Sequence, residues 1–280
     1  MLWYGPYLVA VYIAYEHLNV KNIDIKMSIA TVLGFAVALL LGFRTSAGYD
    51  RWWEARKIWG GIVNDSRSLV RQLSSYYQGK NKEEDVARMA NYQIAWCYAL
   101  KNSLRRLDPL DSLENYLSPE EIERISKVSN KHNEILKLMN EHLAEMREKD
   151  LIDGFQLITI DNTLRQLCDH MGKSERIKST VFPTQYRSYI HRGIIIFTIM
   201  LPYGMLFSTG PLVILICLIV SFFFFMLENI AFSLQDPFEN RDSDIPMTAL
   251  CRTIEINLLQ MIGSDQVPDP VKPDDRGVLM

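Results

Sequence analysis

Three stretches of the chain carry no charged residue. Gly193 to Leu227 runs for 35 residues, Met27 to Phe43 for 17 and Met1 to Tyr15 for 15. The longest would make a helix of about 52 Å, whereas a bilayer core of about 30 Å takes about 20 residues. Its middle reads LPYGMLFSTGP, and the Ser-Thr-Gly-Pro stretch is a turn signal. The pattern therefore predicts two helices, 186–208 and 211–234, joined by a tight hairpin, with Pro202 kinking the first. Two further spans are predicted at 1–18 and 27–46, joined by NVKNID.

Between these apolar blocks the pattern changes. KIWGGIVNDSRSLVRQL places Ile58, Ile62, Leu69 and Leu73 on helical steps. The segment beginning SPEEIERIS offers Ser118 as N-cap, Pro119 at the first helical position and Glu121 at the capping-box position. Its Ile122, Ile125, Ile135, Leu138 and Leu143 suit one amphipathic helix, and another opens near residue 150. No strand-length alternation stands out, so the fold class is all-α. The predicted layout is 1–46 first and second spans, 47–185 a helical cytosolic region, 186–234 third and fourth spans, and 235–280 an acidic turn, a helix and an extended or disordered Pro/Asp-rich tail.

Charge sharpens this picture. Residues 44–192 hold 24 Lys/Arg and 21 Asp/Glu, so a large polar insert separates the membrane pairs. Arg44, Arg51, Arg56 and Lys57 follow the second span, and Arg176, Lys178, Arg187 and Arg192 precede the third. The positive-inside rule then puts both termini and residues 47–185 in the cytoplasm, with Lys21 and Lys26 dissenting. A net charge of -3 carries no nucleic-acid signature.

Catalytic constellations are missing. No phosphate-loop, dinucleotide, nucleophile-elbow or zinc-protease motif is present, and His17, His132, His142, His170 and His191 are scattered. Cys97, Cys168, Cys217 and Cys251 lack zinc-ligand spacing, and nothing calls for a cofactor. The chain reads as a non-enzyme. Other features offer candidate chemistry. Phe35, Leu39 and Phe43 recur at i, i+4, i+8, and around a pore they would form apolar rings that gate by dewetting. Packing against other spans or lipid produces the same row. Glu228, near the inner end of the last span, is an intramembrane ionisable candidate or a snorkelling interfacial carboxylate. Asp236, Glu239, Asp242 and Asp244 form an acidic cluster that would suit a cation such as calcium, or a solvated turn.

Four blocks, in order, resemble the bestrophin family of bacteria. They are LGFRTSAGYDRWWEARKIWGGIVNDSRSLVRQ, IDNTLRQLCDH, SERIKSTVFPTQY and DPFENRDSDIPM. The resemblance implies a homopentameric, helix-rich channel in the bacterial inner membrane, with four spans per subunit and lipid and permeant monovalent ions as its other partners. It puts an apolar neck at Phe35, Leu39 and Phe43 and a second, cytosolic constriction at Ile152. It also implies sodium-preferring conduction without calcium gating. Asn240, Arg241 and Ser243 interrupt the acid run that animal members use for calcium. The rival expectations are an anion channel of the same architecture and a membrane sensor or scaffold that passes no ions.

Overall fold

The computed structural model describes residues 3–17, 27–180 and 184–279. The regular structure among the described residues is helical, without a strand. The helices are α1 (Tyr4–His17), α2 (Met27–Tyr76), α3 (Lys82–Leu104), α4 (Pro119–Ser126), α5 (Lys131–Glu148), α6 (Gly154–Ser179), α7 (Thr184–Thr209), α8 (Leu212–Ser233) and α9 (Met247–Met261). A 3-10 turn, Leu113–Asn115, sits between α3 and α4. The chain packs as two units, one of residues 1–51 and 181–235, the other of 52–180 and 236–280.

In the first unit the hairpin falls where the Ser-Thr-Gly-Pro signal predicted it. α7 ends at Thr209, α8 begins at Leu212, and Gly210 turns the chain with φ +53°, a left-handed value that glycine adopts without penalty. Pro202 lies inside α7 and has no N–H to give the carbonyl four residues back, Thr198. That carbonyl is not orphaned: the Tyr4 hydroxyl of α1 donates to it at 2.8 Å, and Tyr7 donates to the neighbouring Ile199 carbonyl at 2.8 Å. Unpaired backbone is costly in a bilayer, so these phenols let the proline stay within the helix. Gly34 lets α2 approach α7 closely, since a Cβ there would meet the Phe197 ring at 2.7 Å. The loop carrying Lys21 and Lys26 lies outside the described residues.

α2 runs unbroken for 50 residues. Among the described residues its apolar half and α8 are the two helices long and apolar enough to cross a membrane, and most of each apolar window lies open on the chain's own surface. Soluble-protein core helices are the reverse, being covered by their own fold.

The second unit has one large core. Ile58, Ile62, Leu69 and Leu73 from the polar half of α2 are all buried in it, as the helical spacing predicted, and Trp59 joins them. α3 is the central helix and packs against α5, α6 and α9. Trp96 at its middle is fully buried. α9 contributes Cys251, Ile254 and Leu258, which draws the C-terminal helix into the same core as residues 52–180.

The predicted single helix from Pro119 is interrupted. α4 starts with the expected capping box at Ser118 and Glu121 but ends at Ser126. Asn130 then caps α5 by accepting the Asn133 N–H at 3.0 Å. A side chain that captures an N–H locally starts a new helix rather than continuing an old one. Arg124 ties the two together through Glu134 and Glu141, each at 2.7 Å. Asp153 and Gln156 form a second capping box at the start of α6. The C-terminal tail is extended and carries a turn in which Arg276 holds Asp274 and Asp242.

His142, almost fully buried in α5, donates from Nε2 to the Asp85 carbonyl at 3.0 Å. Burial holds its pKa below the ordinary 6.5 against the raising effect of the bond to the Asp85 backbone, and the charge of Arg88 adds to the lowering. The unfolded chain therefore takes up a proton before the folded one does. Stability contributed here is present above the unfolded value and falls as pH drops below about 6.5. Thermal melts of the purified protein at pH 7.5 and 5.5 should show this loss. His142→Gln should reduce the difference; an unchanged difference would show that the destabilising proton goes elsewhere.

Candidate functional site: the open face of α2 and the ion-pair clusters

Helical geometry divides the apolar half of α2 into two opposed stripes. Ala30, Val37, Leu41 and Arg44 recur at 100° per residue along one side, and each is at most 4 % exposed. Phe35, Leu39 and Phe43 lie on the opposite side, at 71 %, 49 % and 62 % exposure. All three residues of the predicted neck thus point away from the chain's own helices. Asp50, seven residues after Phe43, returns to the same stripe and is exposed.

The packed stripe ends in an unusual residue. Arg44 is 1 % exposed, and its Nη2 donates to the Gln235 side chain at 3.1 Å. Arg51 Nε donates to the Gln235 backbone carbonyl at 3.0 Å. One residue just after α8 therefore accepts from two arginines two turns apart on α2. The tryptophans that follow have separate roles. Trp59 is wholly within the second unit's core, Trp52 donates to the Ser243 carbonyl at 2.9 Å, and Trp53 is 48 % exposed. Only Trp53 keeps the open position that interface anchoring requires.

Glu228 is not an isolated carboxylate. Its side chain is 14 % exposed and pairs with His191 Nδ1 of α7 at 3.0 Å. Arg187 stacks over the Phe232 ring at 4.1 Å one turn below. Sequence reasoning set His191 aside as scattered, although a signal was present. The two residues lie 19 before and 18 after the Gly210 turn, so an antiparallel hairpin brings them to the same depth.

The acidic cluster is divided among different partners. Lys178, only 11 % exposed, bonds Asp236 at 3.2 Å and Glu239 at 2.6 Å. Arg276 takes Asp242 at 2.6 Å. Asp244 is buried and accepts the Arg241 backbone N–H at 2.9 Å, closing a turn in which Asn240 has φ +66°. Among the described residues no group of three or more His, Cys, Asp or Glu side chains is placed to hold a metal ion. Lys178 draws Glu239 down to about 2, while burial pushes Asp236 and Asp244 up.

Ile152 was the position expected for the cytosolic constriction. It is 2 % exposed and belongs to the core of the second unit, so its side chain is already committed to packing. The open apolar side chains nearby are Phe155 at 85 % and Ile158 at 60 %, one turn apart at the start of α6. The capping box at Asp153 begins a helix at this point, and the helix turns Phe155 outward and Ile152 inward.

A helical bundle with two membrane-length apolar helices, joined to a packed polar helical unit, defines a membrane protein with a large extramembrane part. Comparison with known proteins narrows that class. Residues 6–260 match the family described as Bacterial/Fungal Bestrophin protein, and the chain belongs to that family. It is 34 % identical over 260 residues to the voltage-dependent anion channel-forming protein YneE of Escherichia coli O157:H7, covering 93 % of this chain and 84 % of that one. It is 31 % identical over 255 residues to the voltage-dependent anion channel-forming protein RSc3414 of Ralstonia nicotianae, covering 90 % and 83 %. The crystal structure of a bacterial bestrophin homolog from Klebsiella pneumoniae superposes with a TM-score of 0.90 at 30 % identity, over 95 % of this chain and 98 % of that chain.

The Lys178 bridge invites a direct test. Lys178→Met leaves Asp236 and Glu239 facing each other without a cation, and chemical denaturation should show a loss of about 1–3 kcal/mol. Lys178→Arg should restore most of it. If Lys178→Met unfolds like the parent, the bridge contributes nothing to stability.

Proposed function

We propose that the chain is the subunit of a bestrophin-type ion channel that conducts passively along a central axis. In this reading five copies surround the path, and α1, the apolar half of α2, α7 and α8 form four spans. One α2 helix per chain cannot enclose a lumen, so closed cyclic self-association is a physical requirement. The observation that carries the reading is the open stripe of Phe35, Leu39 and Phe43, opposite the stripe that packs. Stacked in a ring, these side chains make a neck that excludes water, and ions cross when it wets. Phe155 takes the role of the second, cytosolic constriction because it is exposed, whereas Ile152, the residue expected in that role three positions earlier, is buried.

The permeant ion in this proposal is an anion. The support is the naming of the relatives as anion channel-forming proteins, and it replaces the sodium preference expected from the sequence. Residues 52–180 and both termini face the cytoplasm of the inner membrane, as the arginines flanking the second and third spans imply. Calcium has no part in the reading, because Lys178 and Arg276 already neutralise Asp236, Glu239 and Asp242.

Purified protein in liposomes under a chloride gradient tests the proposal. Reversal potentials should follow chloride. Potentials that follow sodium would overturn the anion assignment and turn attention to the exposed Asp50 on the neck stripe, and no flux at all would remove the channel reading. Replacing Phe35, Leu39 and Phe43 together by alanine should raise single-channel conductance by about tenfold, equivalent to about 1.4 kcal/mol off the barrier. An unchanged conductance would place those side chains against lipid.

A further inference from the structure

The C-terminal end of α9 lies against the polar half of α2, and between them is an open cleft of about 410 Å³. Arg67 and Arg71 line it from α2, and Asn257, Gln260 and Met261 line it from α9. None of these is a carboxylate, so the lining carries two formal positive charges and no negative one. Nothing in the channel reading uses them.

Helical spacing puts each set on one face. Arg67 and Arg71 are four residues apart, and Gln260 and Met261 follow Asn257 at three and four. Arg67 is held in place, because its Nε donates to Asn257 Oδ1 at 2.7 Å and so bridges the two helices. Its Nη groups make no hydrogen bond with the described residues, and the Arg71 side chain makes neither a hydrogen bond nor an ion pair with them. Both arginines are exposed, so these donors are reachable from solvent. The acids close by in sequence are committed elsewhere. Asp65 pairs with His170 at 3.1 Å, and the buried Glu255 accepts from Tyr98 at 2.7 Å and Tyr116 at 2.5 Å. Like charges at a four-residue spacing destabilise a helix unless something negative lies between them.

The donors suit one kind of anion. A guanidinium presents its N–H groups as a planar fork that matches two oxygens of a phosphoryl group. Two forks one turn apart can grip a tetrahedral oxyanion from two sides, and the Asn257 and Gln260 amides can add further N–H donors. The cleft is open to solvent, which leaves room for a substituent on a remaining oxygen.

We propose that Arg67 and Arg71 form an oxyanion site that binds a phosphoryl group, free as inorganic phosphate or carried on a small ester. Asn257 holds Arg67 in position for it. The site is independent of which ion the protein conducts.

Inorganic phosphate is the probe, titrated by calorimetry into the full-length protein in detergent, at constant ionic strength with chloride as the background anion. Saturable binding is expected. Arg71→Gln should weaken it by about tenfold, the scale of a lost charge-assisted contact. Asn257→Asp keeps an acceptor for Arg67 Nε but cancels one positive charge, and should weaken binding to a similar extent. Arg56→Gln, exposed on the same helix and outside the cleft, should leave it unchanged. Melting temperatures of the three variants verify that each is folded. Ribose 5-phosphate, titrated in the same way, separates the two sources: weaker binding than phosphate assigns the site to the free anion, and equal or tighter binding assigns it to an ester. Absence of saturable phosphate binding would overturn the proposal. So would binding that survives both Arg71→Gln and Asn257→Asp, or an equal loss in Arg56→Gln, which would reduce the effect to the overall charge of the protein.

Discussion

The membrane unit depends on helix α2 burying one stripe and leaving the opposite one open. Ala30, Gly34, Val37, Leu41, Arg44 and Gly48 form the buried stripe. Two of these are glycines, and Gly34 lets the Phe197 ring approach closer than any Cβ would permit. With that stripe fixed, Phe35, Leu39 and Phe43 have no choice of direction. Rotating the helix would remove Val37 and Leu41 from their core and pull Arg44 from Gln235. The direction of the proposed neck is thus set on the far side of the helix, by residues that never meet an ion.

The same economy governs the polar backbone inside the membrane unit. Pro202 frees the Thr198 carbonyl, and Tyr4 supplies the missing donor from another helix. His191 and Glu228 satisfy each other across the hairpin. Unsatisfied groups at such depth would be penalised by loss of water, and the Thr198 carbonyl and the Glu228 carboxylate each have a partner on a neighbouring helix. The second unit follows another logic. It is built around α3, and its ion pairs sit at junctions: Arg124 between α4 and α5, and Lys178 between α6 and the turn after α8. Charges in these places specify how helices meet more than they add to stability.

Family membership gives these two units a common purpose without settling what each residue does. In the proposed channel the neck, the cytosolic constriction and the ion path belong to an assembly of several chains. A single chain displays only the surfaces from which that assembly is made. The open stripe on α2 and the exposed Phe155 are the surfaces the proposal assigns to it.

The helical class, the hairpin at Gly210, the core stripe of Ile58, Ile62, Leu69 and Leu73 and the cap at Ser118 were all legible from the residues. Each depends on local periodicity or on the chemistry of a few consecutive positions. Contacts between distant segments were not legible. Ile152 and Phe155 are three residues apart and equally apolar, and only the start of α6 decides which turns inward. Asp236, Glu239, Asp242 and Asp244 read as one acidic cluster, yet Lys178 and Arg276 arrive from 58 and 34 residues away to divide it. The sequence by itself determined which segments are helices and which are apolar, since backbone hydrogen bonding and hydropathy are short-range properties. The tertiary structure decided which faces are open and which charges are paired, since both follow from long-range packing.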